Sequence, residues 1–539
     1  VSSSLGRASA ILGAGTMVSR VTGLVRTIVL VGVIGSNASA AADAFAIANQ
    51  LPNSVFNLIS VGVLTAVIVP QIVRASSQSD GGNAFISKLF TLGTVVLVAA
   101  TAVAMLAAPW LVSLQLSPNN VEQLALATAF AYWCLPQILF YGLYALVGET
   151  LNARRIFGPF TWAPVANNII SIIGFLVIGA VFGENLVNVS DWTPDMVAWL
   201  GGTATAGIAV QAGILLLFWR KTGLALKVDF RWRGVGLGNV GRIASWTLLM
   251  ALSSMAAGFY QNWVANHASG EAAAVTVMNN AWLIFMLPYS IIVHSIGTPY
   301  FTQLSEHAHA GRDADVRADI SRSIRTLGFF LTGALAAVVA AAVPASRVFT
   351  NSSSDAVDAA IVLLCYLVGL LPLAVLFIVQ RTFYAYGDTR TPFFFTLLQC
   401  ALVAVTATIA AWMAAADVLP ITLLAAGVAL GQSFAGIVQT VVATMLLRRR
   451  LGLLDARRWM TALGRFLLAA VPAAAAGWGV FLLLGGTGGW TTADKILGVI
   501  GSGIIAVVVV IVYVAALALL RAPELQVARG IVKRILPGR

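Results

Sequence analysis

Apolar runs long enough to cross a lipid bilayer recur from one end of this chain to the other, and that leaves it few possible folds. Without water in the hydrocarbon layer, each backbone N–H and C=O must be satisfied inside the protein, and runs of this length do so as helices. Of the 539 residues, 59% are hydrophobic and only 10% are charged, which is far from the balance of a soluble domain. Fourteen spans are predicted, at about 8–34, 39–73, 84–114, 122–149, 158–183, 195–219, 239–267, 272–304, 321–345, 355–386, 390–415, 421–449, 462–485 and 495–520. The expected fold class is therefore an all-α polytopic membrane protein. Several runs exceed the ~20 residues that the hydrocarbon requires, so tilts or kinks are expected.

Charge placement tests this count independently. Arg20 and Arg26 fall inside the first span, and only Arg347 and Lys495 fall in connections assigned to the outside. The other 28 of the 32 Lys and Arg sit at or near alternate connections and in the tail 521–539. Basic residues are retained on the cytoplasmic side, so both termini are expected there. The net charge of +12 then describes loops facing anionic membrane lipid and calls for no nucleic acid partner. The first run is expected to remain as a helix, because Arg20 interrupts it and no small-residue cleavage site leads into a soluble domain. Cys134, Cys365 and Cys400 all fall in spans, where they read as packing residues and form no disulfide framework or metal-ligand spacing.

Prolines suggest an internal repeat. Pro52 and Pro288 are 236 residues apart, as are Pro136 and Pro372, which places them in spans 2 and 8 and in spans 4 and 10. Spans 2 and 8 also carry Pro70 and Pro299 near their cytoplasmic ends. The register predicts two six-helix lobes, 1–220 and 221–450, followed by two C-terminal helices within 451–520 and the basic tail 521–539. Transporter folds are often built from such repeats around a midplane site.

Charged residues at membrane depth are the candidate functional groups. An ionised side chain there costs roughly 2.5–3.5 kcal/mol on insertion scales, and it persists where it faces a protein-lined cavity. Arg20 and Arg26 lie in Ser19-Arg20-Val21-Thr22-Gly23-Leu24-Val25-Arg26. Six residues separate them, about 9 Å of rise and about 120° of rotation on a straight helix, whereas Ser19 and Arg26 share a face. Gly23 permits a bend or a close helix approach. Arg20 can snorkel inward while Arg26 caps carbonyls, or the two can form an anion site; the planar guanidinium fork, which matches phosphate oxygens, favours the second reading. Asp43, near the outer end of span 2, reads either as an exposed helix-start carboxylate or as an intramembrane partner of Arg26.

These residues resemble the MurJ (MviN) family. The likeness rests on Ser19 to Arg26, on Ala42-Asp43-Ala44-Phe45 and Leu51-Pro52-Asn53, and on Phe383-Tyr384-Ala385-Tyr386-Gly387-Asp388-Thr389-Arg390-Thr391-Pro392. The resemblance implies a fourteen-helix member of the multidrug/oligosaccharidyl-lipid/polysaccharide (MOP) exporter superfamily in the bacterial cytoplasmic membrane. Such a protein flips lipid II, the undecaprenyl-diphosphate-linked peptidoglycan precursor, through a cationic central cavity that opens alternately to each side. It implies that Arg20 and Arg26 contribute to that cavity, and Asp43, whose second reading is an ion pair or gate with Arg26, is similar in position to the aspartate of the family's second helix. Cell-wall synthesis proteins are possible further partners.

The chain also departs from the family pattern. Ser54-Val55-Phe56-Asn57 stands where basic residues often follow Leu-Pro-Asn, and no arginine precedes Pro288 in Asn279-Asn280-Ala281-Trp282-Leu283-Ile284-Phe285-Met286-Leu287-Pro288. The cavity is therefore expected to be less cationic than usual. Asn49, Asn53, Asn57, Asn279 and Asn280 are candidates for sugar hydroxyls or amides, or they bond between helices. His307 and His309 are read as lying in a cytoplasmic loop and forming no metal site. No phosphate-loop pattern appears, so no enzyme activity or cofactor is expected, and energy must come from a gradient, the membrane potential or downhill use of substrate. Two other readings remain: a cation-coupled exporter of another lipid-linked saccharide or small molecule, and a non-transporting cell-wall scaffold.

Overall fold

A computed structural model of the chain describes residues 2–60, 83–116, 120–154, 156, 158–231 and 241–525. Pro70 and residues 526–539 of the expected tail lie outside the described residues. Among the described residues the chain is helical, with no strand. It divides into two compact units, 1–270 and 271–539.

The first unit contains α1 (Ser2–Ile34), α2 (Ala40–Ile59), α3 (Asn83–Leu106), α4 (Ala108–Ser113), α5 (Val121–Cys134), α6 (Gln137–Ala153), α7 (Gly158–Phe182), α8 (Pro194–Leu217) and α9 (Gly241–Ala265). The second contains α10 (Val275–His309), α11 (Asp313–Ala340), α12 (Ala342–Arg347), α13 (Ser353–Leu367), α14 (Leu370–Ala385), α15 (Arg390–Ala415), α16 (Leu424–Leu451), α17 (Ala456–Leu483) and α18 (Lys495–Leu519). Twelve of the expected spans are long and apolar enough to cross a membrane by composition alone. The other two are α2, with Asp43, Asn49, Gln50, Asn53 and Asn57, and α9, with Ser253, Ser254, Gln261 and Asn262. Parts of both spans, 61–73 and 239–240, lie outside the described residues, and several of these polar residues meet one another.

Helix α9 lies in the unit that ends at Gly270. Asn262 donates to Gln115 Oε1 at 2.7 Å and to Gln50 Oε1 at 3.3 Å, and Asn266 donates to Gln123 Oε1 at 3.2 Å. Between helices in an apolar medium such bonds contribute about 0.6–2 kcal/mol each, enough to select which bundle a polar helix joins. The last two spans are no separate appendage, for α17 packs on α11 and α18 within the second unit.

Helix starts follow local chemistry. Ser39, Asn120 and Ser352 accept bonds from backbone N–H groups of the first turns of α2, α5 and α13, supplying partners that a helix start lacks. Close helix contacts rely on missing side chains: a Cβ on Gly174 of α7 would lie 1.9 Å from Thr203 of α8.

Spans 4 and 10 are both broken next to their repeat-related prolines, and each break is mended from the span two further on. Proline removes a donor and leaves carbonyls exposed. In the first unit Thr205 of α8 donates to Trp133 O, at 2.6 Å, where α5 gives way to α6. In the second, Ser433 of α16 donates to Cys365 O and Tyr366 O at 2.7 and 3.0 Å, and Thr440 donates to Pro372 O at 3.1 Å. Broken helices are tolerated at membrane depth when neighbouring hydroxyls restore the lost bonds.

Arg347, one of the two basic residues assigned outside, is a structural cap. It is 7% exposed, and its guanidinium donates to Thr492 O at 2.8 Å, Thr350 O at 2.5 Å and Ala493 O at 3.0 Å. His307 and His309 stand in the last turn of α10 and not in a loop, and His307 Nδ1 lies 2.7 Å from Asp319 Oδ2. The helix runs through both histidines and the chain turns at Gly311, whose φ of +68° suits glycine. Cys134, Cys365 and Cys400 are free thiols, with Cys134 and Cys400 buried.

Candidate functional site in the first unit

The candidate residues of the first unit lie on α1 and α2. Helix α1 runs unbroken from Ser2 to Ile34, so Gly23 does not introduce a break. It faces Asn168 of α7, and a Cβ there would meet Asn168 Nδ2 at 3.5 Å, an ordinary contact distance. Asn168 in turn donates to Ser19 O and to Thr22 Oγ1, both at 3.0 Å. The Ser19 segment is thereby held against α7.

The two arginines have different surroundings. Arg20 is exposed along α1, whereas Arg26 is half-buried and stands near Tyr141 of α6. Tyr141 stacks on Phe56 of α2, with ring centroids 5.8 Å apart and planes at 26°. Among the described residues no carboxylate lies within ion-pair distance of Arg26. A guanidinium without such a partner has a planar fork of donors that can receive an anion.

Asp43 differs from both sequence expectations. It lies in the first turn of α2, where the helix dipole favours an anion, but it is only 1% exposed. Its partner is Ser269 Oγ, which donates to Asp43 Oδ2 at 2.6 Å, and no Arg26–Asp43 ion pair occurs among the described residues. Gln123 Nε2 donates to Ser269 Oγ at 2.8 Å and to Ala40 O at 2.9 Å. The carboxylate thus ties the start of α2 to the segment after α9 through a buried polar network, because a charge that water cannot reach must find donors within the protein.

The asparagines separate by position. Asn49 accepts from Gln137 Nε2 at 3.3 Å, a bond between α2 and α6, while Asn53 and Asn57 are exposed on α2. Asn279 and Asn280 belong to α10 of the second unit. Asn280 is 9% exposed, and its Nδ2 has no acceptor among the described residues.

Sequence reasoning missed Tyr141, Gln115, Gln123, Asn266 and Ser269. A signal was available for part of this set: Asn262, Asn266 and Ser269 recur at the four- and seven-residue spacing of one helix face. The Phe383 to Pro392 signature is a corner between α14 and α15. Gly387 turns at φ +69°, and Asp388 accepts from Thr391 N at 3.0 Å and from Arg450 at 3.3 Å.

Helical units of membrane-length segments, two of them broken beside prolines, define a polytopic membrane protein. A multidrug resistance MATE family transporter of the MOP superfamily, solved inward-facing, superposes with TM-score 0.64 at 18% identity, over 83% of this chain and 99% of that one. The chain belongs to the lipid II flippase MurJ family, whose description matches residues 33–500. The structure of "Lipid II flippase MurJ, inward closed conformation" matches with TM-score 0.71 at 17% identity, over 94% of this chain and 98% of that one. Among relatives, a probable lipid II flippase MurJ of Rhizobium tropici is 25% identical, covering 81% of this chain and 80% of its own length. That of Haemophilus influenzae is also 25% identical, covering 70% and 75%. The family match includes Asp43 but begins beyond Arg20 and Arg26, so the arginines rest on the first-span motif and on their own geometry.

Proposed function

We propose that this chain translocates lipid II from the inner to the outer leaflet of the bacterial cytoplasmic membrane. The observation that carries the reading, beside membership of the family, is Arg26: a guanidinium in a membrane helix with no carboxylate partner among the described residues. An uncompensated cation at depth is unfavourable alone and favourable with an anionic ligand. Arg26, with Arg20 one and a half turns away, would hold the diphosphate in a cationic cavity opening alternately to each side. Asn49, Asn53, Asn57, Asn279 and Asn280 would meet sugar and peptide amides, and Asp43, released from Ser269, would act as a gate. Depletion of the protein in cells is expected to stop wall growth and to accumulate lipid II on the inner leaflet. Accumulation of a different lipid-linked saccharide would favour the second reading, an exporter of another substrate, which the MATE likeness supports.

The same reading places both termini and the basic connections in the cytoplasm. Asn188→Cys, between spans 5 and 6, is expected to react with an impermeant thiol reagent added to intact cells. Ala310→Cys, between spans 8 and 9, should react only after permeabilisation. The reverse pattern would invert the topology.

A further inference from the structure

The second unit carries a lateral groove unrelated to the charged residues of α1 and α2. It is a cavity of about 460 Å³ between α14, α16 and α17, walled by Pro372, Val375, Val441, Thr444 and Trp459, with Arg448 at one end. It lies beside the break in span 10, where α14 starts afresh at Leu370 and Thr440 donates to Pro372 O.

Three features select its occupant. The wall on α16 runs from Ile437 to Arg448, a rise of about 16 Å, or roughly half of the ~30 Å hydrocarbon thickness. The groove is thus one leaflet deep. Its walls are nearly all apolar, whereas its mouth lies where Arg448, Arg449 and Arg450 end α16 and Arg457 and Arg458 begin α17. The Trp459 indole N–H is buried and has no acceptor among the described residues. An apolar slot of one leaflet's depth under a basic rim fits a molecule with a fatty-acyl tail and an anionic headgroup.

We infer that this groove binds one acyl chain of an anionic phospholipid of the cytoplasmic leaflet, with the phosphate on Arg448. The site ties α14, the second half of a broken span, to α16 and α17 through the lipid, and it is distinct from the proposed lipid II contacts on α1 and α2.

The test is native mass spectrometry of the full-length protein in detergent, titrated separately with phosphatidylglycerol and phosphatidylcholine of identical acyl chains. The parent protein should retain one phosphatidylglycerol with a preference of about fivefold, the scale of one arginine near an anionic headgroup. Arg448→Gln should remove the preference, and Arg448→Lys should keep it. Val441→Trp, which fills the slot, should reduce retention of both lipids. Arg448 lies on an exposed helix end, so its variants remain informative if the tryptophan variant fails to fold. Equal retention of the two lipids by the parent, or an unchanged preference in Arg448→Gln, would overturn the site. Displacement of phosphatidylglycerol by equimolar undecaprenyl phosphate would overturn the occupant. None of these measurements depends on flipping, so failure here leaves the proposed function untouched.

Discussion

Replacing Arg20 and Arg26 together by alanine is expected to abolish growth when the variant is the sole copy, with the protein still inserted at its normal level. A hydrogen bond to a charged group contributes about 1.5–3 kcal/mol, so losing a two-pronged phosphate contact weakens capture about 10²–10⁴-fold. Arg26→Ala alone should account for most of the loss, since Arg26 is half-buried and Arg20 is exposed. Lysine at position 26 retains the charge without the planar fork and should restore function only in part. The measurements are complementation and lipid II binding by the purified variants. Normal growth of the double alanine variant would eliminate the anion site.

Flipping in proteoliposomes should follow an imposed membrane potential and ignore a sodium gradient. A sodium cage needs oxygen ligands with negative charge close by. In the second unit the buried carboxylates among the described residues are Asp319 and Glu524, and both are engaged, by His307 at 2.7 Å and by Arg325 at 3.2 Å. A potential of 100 mV does about 2.3 kcal/mol of work on each charge that crosses it, roughly a 50-fold change in rate or population. Arg20, Arg26 and Asp43 are the groups placed to sense it. Flipping that tracks sodium at clamped zero potential would reject this coupling and point to a cage of neutral oxygens.

The Asp43 network shows how much of the site could be read in advance. Its carboxylate was visible in the sequence as an anomaly, an acid in an apolar run. Its partner was far harder to see, because Ser269 lies 226 residues away and only its seven-residue spacing from Asn262 sets it apart from the other serines. The same holds for Arg26 and Tyr141, which come from α1 and α6. Family resemblance in the Phe383 to Pro392 stretch was equally legible, whereas its role as a corner clamped by Arg450 needed the end of α16 in place.

The sequence by itself determined the all-helical class and the succession of membrane-length apolar segments. Those features depend on hydrocarbon thickness, helix rise and charge, which act along one dimension and leave their mark residue by residue. Only the tertiary structure decided that α9 joins the first unit, that Asp43 is buried on Ser269, and that Arg347 caps three carbonyls. Each of these outcomes is a choice of partner by a polar group in an apolar medium, and such a choice is made among whatever donors and acceptors folding brings within about 3 Å.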